Sequence, residues 1–381
     1  MKIVIAMDSF KGSLTSMEAG NAVKAGIEKV CDAEIVVKPI ADGGEGTTEA
    51  LVSGLGGEQV TVEVTDPLGR KIQAVYGILR DGTAVIEMAQ AAGITLIKKE
   101  ERDALSATTY GVGEMIRDAV QRGCRKFLIG IGGSATSDGG VGMLQALGYR
   151  FLDADGKQIR AGVKHLDEIS MIDCKNILKE INMCHFVIAC DVKNPLLGKN
   201  GAVYVYGPQK GIQQKDLEDM DRKMSHFARK TTGYVKKDFH MAEGAGAAGG
   251  LGFAFFSYIP HVEMKSGIEI VLDAVELEKE LVEADYVVTG EGKIDGQTSM
   301  GKTPVGVAKI AKKYGAKVIA FAGSATEDAG ACNQEGIDAF FSVIREVTTL
   351  DEAMNPERAK KNVELTAEQV FRLLIPCKKE S

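Results

Sequence analysis

The chain has 381 residues, more than one hydrophobic core usually organises, so its length predicts two domains. Its formal net charge of -7 excludes a broad basic surface for nucleic acid, and no apolar run approaches the length of a membrane span. Seven scattered cysteines without a CxxC pair are typical of reduced thiols, which predicts a cytoplasmic protein. The 45 glycines predict many tight turns and close backbone approaches to ligands.

The first part of the chain alternates between strand-like and helix-like patterns. An apolar run at 2–6 is followed by a polar loop, by capping-box spacing at 15–18 and by apolar residues at helical intervals. A second apolar run at 34–37 leads through a glycine-rich loop into another predicted helix. The repeated order of strand, loop and helix predicts a parallel sheet with right-handed crossovers.

The pattern changes at about residue 60 and returns near residue 286. Short apolar runs between 60 and 88 are separated by turn sequences, which predicts antiparallel strands. The later segment again has a strand at 286–289, a helix at 305–314 and a strand at 317–321. A closing helix is predicted at 356–374.

These patterns predict an α/β fold in which both ends of the chain form one domain. A Rossmann-like parallel-sheet domain is expected from residues 1–65 plus 283–381, and an inserted mixed α/β domain from residues 66–282. Two successive domains along the chain are the alternative.

Three polar loops follow predicted strands, at 8–13, 41–47 and 290–302. Ligands bind beyond the carboxyl ends of the strands in open parallel sheets. An acidic residue directly after a buried strand can hold Mg²⁺, and a nearby lysine can neutralise charge on a transferring phosphoryl group. Asp8 and Asp42 could instead cap helices, but the occurrence of three such loops favours a ligand site.

A glycine-rich segment, GIGGSATSDGG at 130–140, lies between a predicted strand and a predicted helix. Backbone N–H groups and the positive end of a helix dipole would suit a phosphate or a carboxylate there. The spacing Gly130-x-Gly132-x-x-Ala135 also matches the looser dinucleotide fingerprint, which leaves a nicotinamide-dependent oxidoreductase as an alternative function. A tight turn without a ligand is the structural alternative.

The segment 296–303 has the formal Walker A spacing, GxxxxGKT. A true P-loop is not expected, because this segment lies several residues after the preceding strand and Pro304 follows the hydroxyl residue. We expect instead a loop that binds phosphate in another way. In the middle of the chain, Asp191 follows an apolar run and Lys210 lies in a predicted turn. The small residues at 244–252 allow close approach of a ligand or, equally, tight helix packing.

Taken together, these segments resemble the bacterial glycerate kinase family of glyoxylate and sugar-acid breakdown. The residues that carry the resemblance run in order over nearly the whole chain: DSFKGSL (8–14), ADGGEGT (41–47), GGSAT (132–136) with DGG (138–140), Asp191 with NP (194–195), GPQKG (207–211), GAGAAGG (244–250), and GEG (290–292) with ID (294–295), QT (297–298) and GK (301–302). Met7 stands where the family usually has proline.

The resemblance implies an ATP-dependent kinase that converts D-glycerate to phosphoglycerate, with 2-phosphoglycerate favoured over 3-phosphoglycerate. It also implies ATP and Mg²⁺ as co-reactants and two α/β domains with the site in the cleft between them. The expected partners are small-molecule substrates, without nucleic acid or membrane, and a homo-oligomer is one option that the sequence leaves open.

Phosphoryl transfer needs a group to receive the hydroxyl proton, charge neutralisation and in-line positioning. We predict Asp191 as the base, with Asp42 as second choice, and Lys11 as a further catalytic residue that steadies phosphate oxygens. Asp8 and Glu291 are the predicted Mg²⁺ ligands. The predicted substrate- and phosphate-binding residues are Ser9, Gly43, Gly44, Gly132, Gly133, Ser134, Thr136, Lys210 and Lys302. A non-catalytic sensor of nucleotide or sugar acid is a further alternative, although it would not need acids and lysines in several loops.

Overall fold

The computed structural model describes residues 1–375. The strands, in chain order, are β1 (Lys2–Met7), β2 (Glu34–Pro39), β3 (Gly57–Thr65), β4 (Lys71–Leu79), β5 (Thr83–Glu87), β6 (Lys126–Gly130), β7 (Arg150–Leu152), β8 (Met171–Asp173), β9 (His185–Ala189), β10 (Val262–Lys265), β11 (Tyr286–Ile294), β12 (Lys317–Ala325) and β13 (Ala339–Ser342).

The α-helices, in chain order, are α1 (Ser16–Glu28), α2 (Thr47–Leu55), α3 (Ala89–Ala92), α4 (Tyr110–Gln121), α5 (Val141–Ala146), α6 (Ala202–Tyr206), α7 (Leu217–Val235), α8 (Leu251–Tyr258), α9 (Gly267–Ala274), α10 (Leu277–Leu281), α11 (Thr303–Lys313), α12 (Ala331–Gln334), α13 (Leu350–Met354) and α14 (Pro356–Leu374). No helix within residues 1–375 combines the length and the apolar character needed to cross a membrane.

The first compact unit comprises Met1–Asp42, Glu49–Gly56 and the chain from Ile268 onward. Its five-stranded sheet has the order β13-β12-β11-β1-β2, and every pairing in it is parallel. When these five strands are renumbered 1 to 5 in chain order and read from β2, the order is 2-1-3-4-5, which is the doubly wound order of flavodoxin-like sheets. The α/β class, with a Rossmann-like parallel sheet built from strands at both ends of the chain, is confirmed.

Continuous burial of β1 explains why the first unit folds around it. The side chains from Ile3 to Met7 are fully buried, as expected for a central strand covered by helices on both faces. Helix α1 begins with a capping box between Thr15 and Glu18, and its apolar face packs with α14 against the sheet. This packing fixes the carboxyl end of β1, and therefore the position of Asp8.

The second compact unit comprises Gly43–Thr48 and Gly57–Gly267. Its six-stranded sheet has the order β10-β9-β6-β5-β4-β3, in which the first four strands are parallel and the last two are antiparallel additions. The core includes a stacked pair, Phe127 and Phe186, with ring centroids 4.6 Å apart on neighbouring strands. This sheet is the mixed α/β structure that the antiparallel pattern after residue 60 predicts.

The short segment Gly43–Thr48 belongs to the second unit because Glu87 holds it there. The buried carboxylate of Glu87 accepts hydrogen bonds from Thr48 N at 2.8 Å and Gly46 N at 3.3 Å. Its burial raises the pKa of Glu87. The domain boundaries proposed from the sequence, at residues 65 and 282, remain a prediction.

Candidate active site

In the first unit, two carboxylates lie where the strand order reverses. β1 and β11 are neighbours, and Met7 pairs with Gly290, so Asp8 and Glu291 both come one residue beyond the same paired position. Asp8 N donates to Gly290 O at 2.8 Å, which fixes this register at the end of β1. Such a switch point is where ligands bind in doubly wound sheets.

Asp8 is held by two hydrogen bonds in a buried position. Thr303 Oγ1 donates to one carboxylate oxygen at 2.7 Å, and Ser9 N donates to the other at 2.6 Å. Burial and, to a smaller extent, the nearby charge of Asp42 raise the pKa of Asp8, and the pKa reaches about 6 despite the opposing effect of these hydrogen bonds. A cation that neutralised this buried carboxylate would therefore bind with a gain in free energy.

Glu291 has a matching environment. Thr298 Oγ1 donates to its carboxylate at 2.7 Å. Burial raises the pKa of Glu291 to about 6, while Lys302 acts in the opposite direction and Asp8 in the same direction. Two neighbouring carboxylates with raised pKa values fit a hard divalent cation, because it would stabilise both charged forms.

No group of three or more His, Cys, Asp or Glu side chains suited to a metal occurs among residues 1–375. Mg²⁺ is commonly held by one or two carboxylates together with water and substrate phosphates. The pair formed by Asp8 and Glu291 fits that mode of binding.

The loop after β1 carries Ser9 and Lys11. Lys11 Nζ lies 3.4 Å from Asp42 Oδ2 in a solvent-exposed ion pair. Such pairs contribute little to stability, so a ligand can reorganise them at small cost. Hydrogen bonds in both directions between Phe10 and Leu14 close the loop and keep Lys11 at its outer turn.

The segment with Walker A spacing is not a P-loop. Strand β11 extends to Ile294, a short 3-10 turn covers Thr298–Met300, and the helix begins only at Thr303 with a proline in its first turn. The hydroxyls of Thr298 and Thr303 hold the two switch-point carboxylates. The segment instead brings the exposed Lys302 close to Glu291.

In the second unit, the loop after β6 presents consecutive backbone donors. Gly132 and Gly133 are exposed, and Gly133 has a left-handed φ of +72°. Among the described residues, the N–H groups of Gly132, Gly133 and Ser134 donate to no other protein group. Successive N–H groups around a left-handed residue form a concave site for an anion.

The helix entrance does not supply these donors, in contrast to the expectation from the sequence. Helix α5 starts only at Val141, and the buried carboxylate of Asp138 accepts from Gly140 N at 3.0 Å and Gly142 N at 3.1 Å. It also accepts from Thr109 N at 2.8 Å and Thr109 Oγ1 at 2.9 Å. Asp138 therefore fixes the end of the loop and occupies the start of the helix.

Lys210 lies beneath this loop. Its side chain is buried, and Nζ donates to Ser134 Oγ and to Thr136 O, both at 2.7 Å. Burial lowers the pKa of Lys210 to about 7, although the charge of Asp138 opposes this effect. The sequence placed Lys210 in a turn, which is confirmed, but gave no sign of its burial.

Asp191 is exposed two residues beyond β9, and its Oδ1 accepts from Gly267 N at 3.0 Å. Gly130 pairs with Ala189 across β6 and β9, so Asp191 and Gly132 follow the same paired position. Gly43 lies at this edge as well, because a Cβ atom added at Gly130 would lie only 2.4 Å from Gly43 O. The loop around Gly43 and Gly44, the loop after β6 and Asp191 thus converge on one edge of the second sheet.

The glycines at 244–252 contact protein backbone. An added Cβ at Gly246 would lie 2.2 Å from Pro195 O, and one at Gly249 would lie 2.1 Å from Thr136 O. Gly139 N also donates to Gly249 O at 3.0 Å. The tight-packing alternative therefore describes this segment, which supports the loop after β6 from behind.

The fold and these groups together define an α/β enzyme of the phosphotransferase class, with charged groups at a switch point and a separate anion loop. Comparisons with known proteins give the family. The family model described as "Glycerate kinase family" matches residues 3–375. The chain is 46% identical to "Glycerate 2-kinase" of Escherichia coli (strain K12), over 96% of this chain and 98% of that protein.

Two further comparisons agree. "Glycerate kinase" of Bacillus subtilis (strain 168) is 45% identical over 97% of both chains. A crystal structure of a protein from Salmonella typhimurium LT2, provisionally named glycerate kinase 2, matches with a TM-score of 0.90 and 45% identity over 98% of each chain. The chain belongs to the glycerate kinase family, and the prediction of an ATP-dependent kinase is confirmed. This membership favours the kinase over the oxidoreductase and sensor alternatives.

Proposed function

We propose that the protein transfers the γ-phosphoryl group of ATP to the 2-hydroxyl of D-glycerate, with Mg²⁺ as cofactor. The observation that carries the proposal is the pair of carboxylates, buried Asp8 and partly buried Glu291, at the switch point of a parallel sheet in a member of the glycerate kinase family. The choice of the 2-hydroxyl is supported by the name of the Escherichia coli relative, "Glycerate 2-kinase".

The first unit carries the charges that phosphoryl transfer requires. Asp8 and Glu291 are the proposed ligands of Mg²⁺, which would draw negative charge away from the phosphate oxygens. Lys11 and Lys302 are proposed to stabilise the charge that develops on the transferring group. The amide and hydroxyl of Ser9, next to Asp8, are proposed to orient a phosphate oxygen.

The second unit carries the proposed base. Asp191 is exposed at the carboxyl edge of the sheet, and it accepts a hydrogen bond from Gly267 N. A carboxylate at this edge has the chemistry needed to receive the proton of a substrate hydroxyl. Asp42 is the second candidate, because its carboxylate is already engaged with Lys11. Gly43 and Gly44 are proposed to let the substrate approach the backbone closely.

The cytoplasm is the proposed compartment. The six cysteines within the described chain are all free thiols, as a reducing environment requires.

Release of ADP in the presence of Mg²⁺ tests the proposed function. We expect release that depends on D-glycerate, with much weaker release for glycerol, which has the hydroxyls but lacks the carboxylate. ATP binding without any acceptor-dependent release, across several hydroxy acids, would contradict the proposal. Removal of Mg²⁺ with a chelator should abolish turnover, and its restoration should recover it.

A further inference from the structure

We propose that the loop residues Gly132, Gly133 and Ser134 bind the carboxylate of the hydroxy-acid substrate, and that Lys210 is a positioning residue that acts on this carboxylate through Ser134. The proposal rests on the proposed function, since it names the part of the substrate that this loop recognises. It also changes the role expected of Lys210, from a ligand-binding residue to one that acts from beneath the loop.

The donors of the loop match a carboxylate in number. A carboxylate has two oxygens that together accept about four hydrogen bonds. The loop offers the N–H groups of Gly132, Gly133 and Ser134, which have no acceptor within the described chain, and the Ser134 hydroxyl. The exposure of both glycines makes the backbone donors accessible to a small anion.

Lys210 cannot take part in this contact directly, because its side chain is only 3% exposed. It instead orients Ser134: Nζ donates to Ser134 Oγ at 2.7 Å, so the hydrogen of that hydroxyl must point toward another acceptor. A hydroxyl that accepts a bond from an ammonium group is also polarised into a stronger donor. The second bond of Nζ, to Thr136 O at 2.7 Å, ties the far side of the loop to the same point.

The charges around the loop favour a single negative charge on the ligand. Asp138 is the carboxylate whose charge acts on Lys210, and Arg102, on the adjoining segment, donates to Gln209 O. The loop itself therefore presents neutral dipoles, with its one ammonium group buried and opposed by Asp138. Neutral donors suffice for a carboxylate, whereas a polyphosphate with Mg²⁺ is better matched by the exposed lysines and paired carboxylates of the first unit.

The register of the second sheet places the proposed base within reach of such a ligand. Gly132 and Asp191 follow paired positions on neighbouring strands, which lie about 4.8 Å apart in a sheet. In a 2-hydroxy acid, the hydroxyl is on the carbon next to the carboxylate. A carboxylate bound at Gly132 to Ser134 can therefore present that hydroxyl toward Asp191.

The loop is also supported from behind, as a preformed anion site requires. The backbone of Gly249 lies against Thr136 and Ser137, and no side chain would fit between them. The hydroxyls of Thr136 and Ser137 are buried without a hydrogen-bond partner in the described part of the chain. The close contact with Gly249 therefore holds the back of the loop in one position.

The test is two-substrate steady-state kinetics on the whole protein with Ser134→Ala, Lys210→Met and the double variant. Each single change is expected to raise KM for D-glycerate about 10- to 100-fold, the effect of losing a hydrogen bond to a charged group, with KM for ATP nearly unchanged. The double variant should be no worse than the poorer single variant, because Lys210 acts through Ser134.

Lys223→Met is the matched control in the same unit. Lys223 Nζ is bonded to Asp167 at 2.9 Å and to Lys164 O at 3.0 Å, so its loss should lower the melting temperature without moving either KM. Additive effects of the Ser134 and Lys210 changes would overturn the indirect role of Lys210. A rise in KM for ATP with KM for glycerate unchanged would overturn the assignment of the carboxylate.

If Lys210→Met does not fold, two other variants still test the proposal. Lys210→Arg should retain part of the glycerate affinity, and Ser134→Ala does not touch the buried charge. Calorimetric titration with D-glycerate alone then separates the proposals. A parent protein that binds glycerate without turnover refutes the proposed function, whereas equal affinity of the parent and Ser134→Ala refutes the carboxylate site.

Discussion

The switch point of the first unit and the glycine loop of the second unit both suit anions, but they achieve it in different ways. At the switch point, one buried carboxylate, one partly buried carboxylate and two exposed lysines provide formal charges that a ligand can rearrange. In the glycine loop, the donors are neutral, and the two charged side chains that support the loop, Lys210 and Asp138, are buried and hydrogen-bonded. We infer from this difference that phosphoryl transfer from a polyphosphate needs charged side chains that can rearrange, whereas binding of a single carboxylate needs backbone and hydroxyl donors that are held in place.

The largest expected effect comes from the proposed base. Asp191→Asn should lower kcat about 100- to 10,000-fold, because the amide cannot accept the hydroxyl proton, while KM for both substrates changes little. Asp221→Asn is the control, because the hydrogen bonds that Asp221 accepts within residues 1–375 come from Gly198 N in the same unit, so this change should leave kcat unchanged. A kcat of Asp191→Asn within a few-fold of the parent would remove Asp191 from this role.

Glu291→Gln tests the charged character of the switch point. Loss of one proposed ligand should raise the Mg²⁺ concentration needed for half-maximal activity about 10- to 100-fold, because an amide oxygen carries no formal charge. KM for D-glycerate should stay close to that of the parent, in contrast to Ser134→Ala. An unchanged Mg²⁺ requirement would show that the cation binds elsewhere.

Thr303→Val tests whether the carboxylates must be held in place. The change keeps the side-chain shape but removes the hydroxyl that donates to Asp8, so we expect a Mg²⁺ requirement raised about 10-fold. Thr366→Val is the control, because the Thr366 hydroxyl is buried without a partner in the described chain and its loss should not affect activity. Equal behaviour of the two variants would count against a positioning role for Thr303.

A further expected effect is on stability instead of activity, and it depends on pH. The pKa of Asp8 is raised from 3.8 to about 6, so between these values the folded protein binds a proton that the unfolded chain releases. The free energy of unfolding contributed by Asp8 therefore falls as pH rises from about 4 to 6 and stays low above 6. Asp8→Asn removes this cost and should raise stability at pH 7.5 by about 3 kcal/mol.

Thermal unfolding of Asp8→Asn and the parent at several pH values measures this effect. The advantage of the variant should shrink as pH falls through 6 toward 4, while its catalytic activity is lost at every pH. An advantage that does not change with pH would mean that the buried charge of Asp8 is not its cause.

The sequence predicted the parts of this molecule that depend on local pattern. Continuous apolar runs predicted the parallel strands, and Asp8 and Asp191 were expected at strand ends, where the structure has them. Glu291 was expected in a loop but lies on β11, because pairing with β12 extends that strand to Ile294.

The contacts between distant segments could not be predicted in this way. Thr303 is far from Asp8 in the chain, although the two side chains are hydrogen-bonded. The burial of Lys210 depends on how its turn packs beneath the loop that contains Ser134 and Thr136, which lie 76 and 74 residues earlier in the chain. A polar side chain in a turn is normally exposed, so neither contact could be inferred from the sequence. Hydroxyl residues within a glycine-rich segment, such as Thr298 and Thr303, are the one feature that could have pointed to positioning groups.

The measurement that tests the central claim most directly is ³¹P NMR of the product formed from ATP, Mg²⁺ and D-glycerate. We expect a new phosphomonoester signal coupled to a single proton, because phosphate on the 2-oxygen of glycerate is attached to a carbon that bears one hydrogen. Coupling to a methylene pair would place the phosphate on the 3-oxygen and contradict the proposed regiochemistry, and the absence of any glycerate-dependent signal would contradict the proposed function itself.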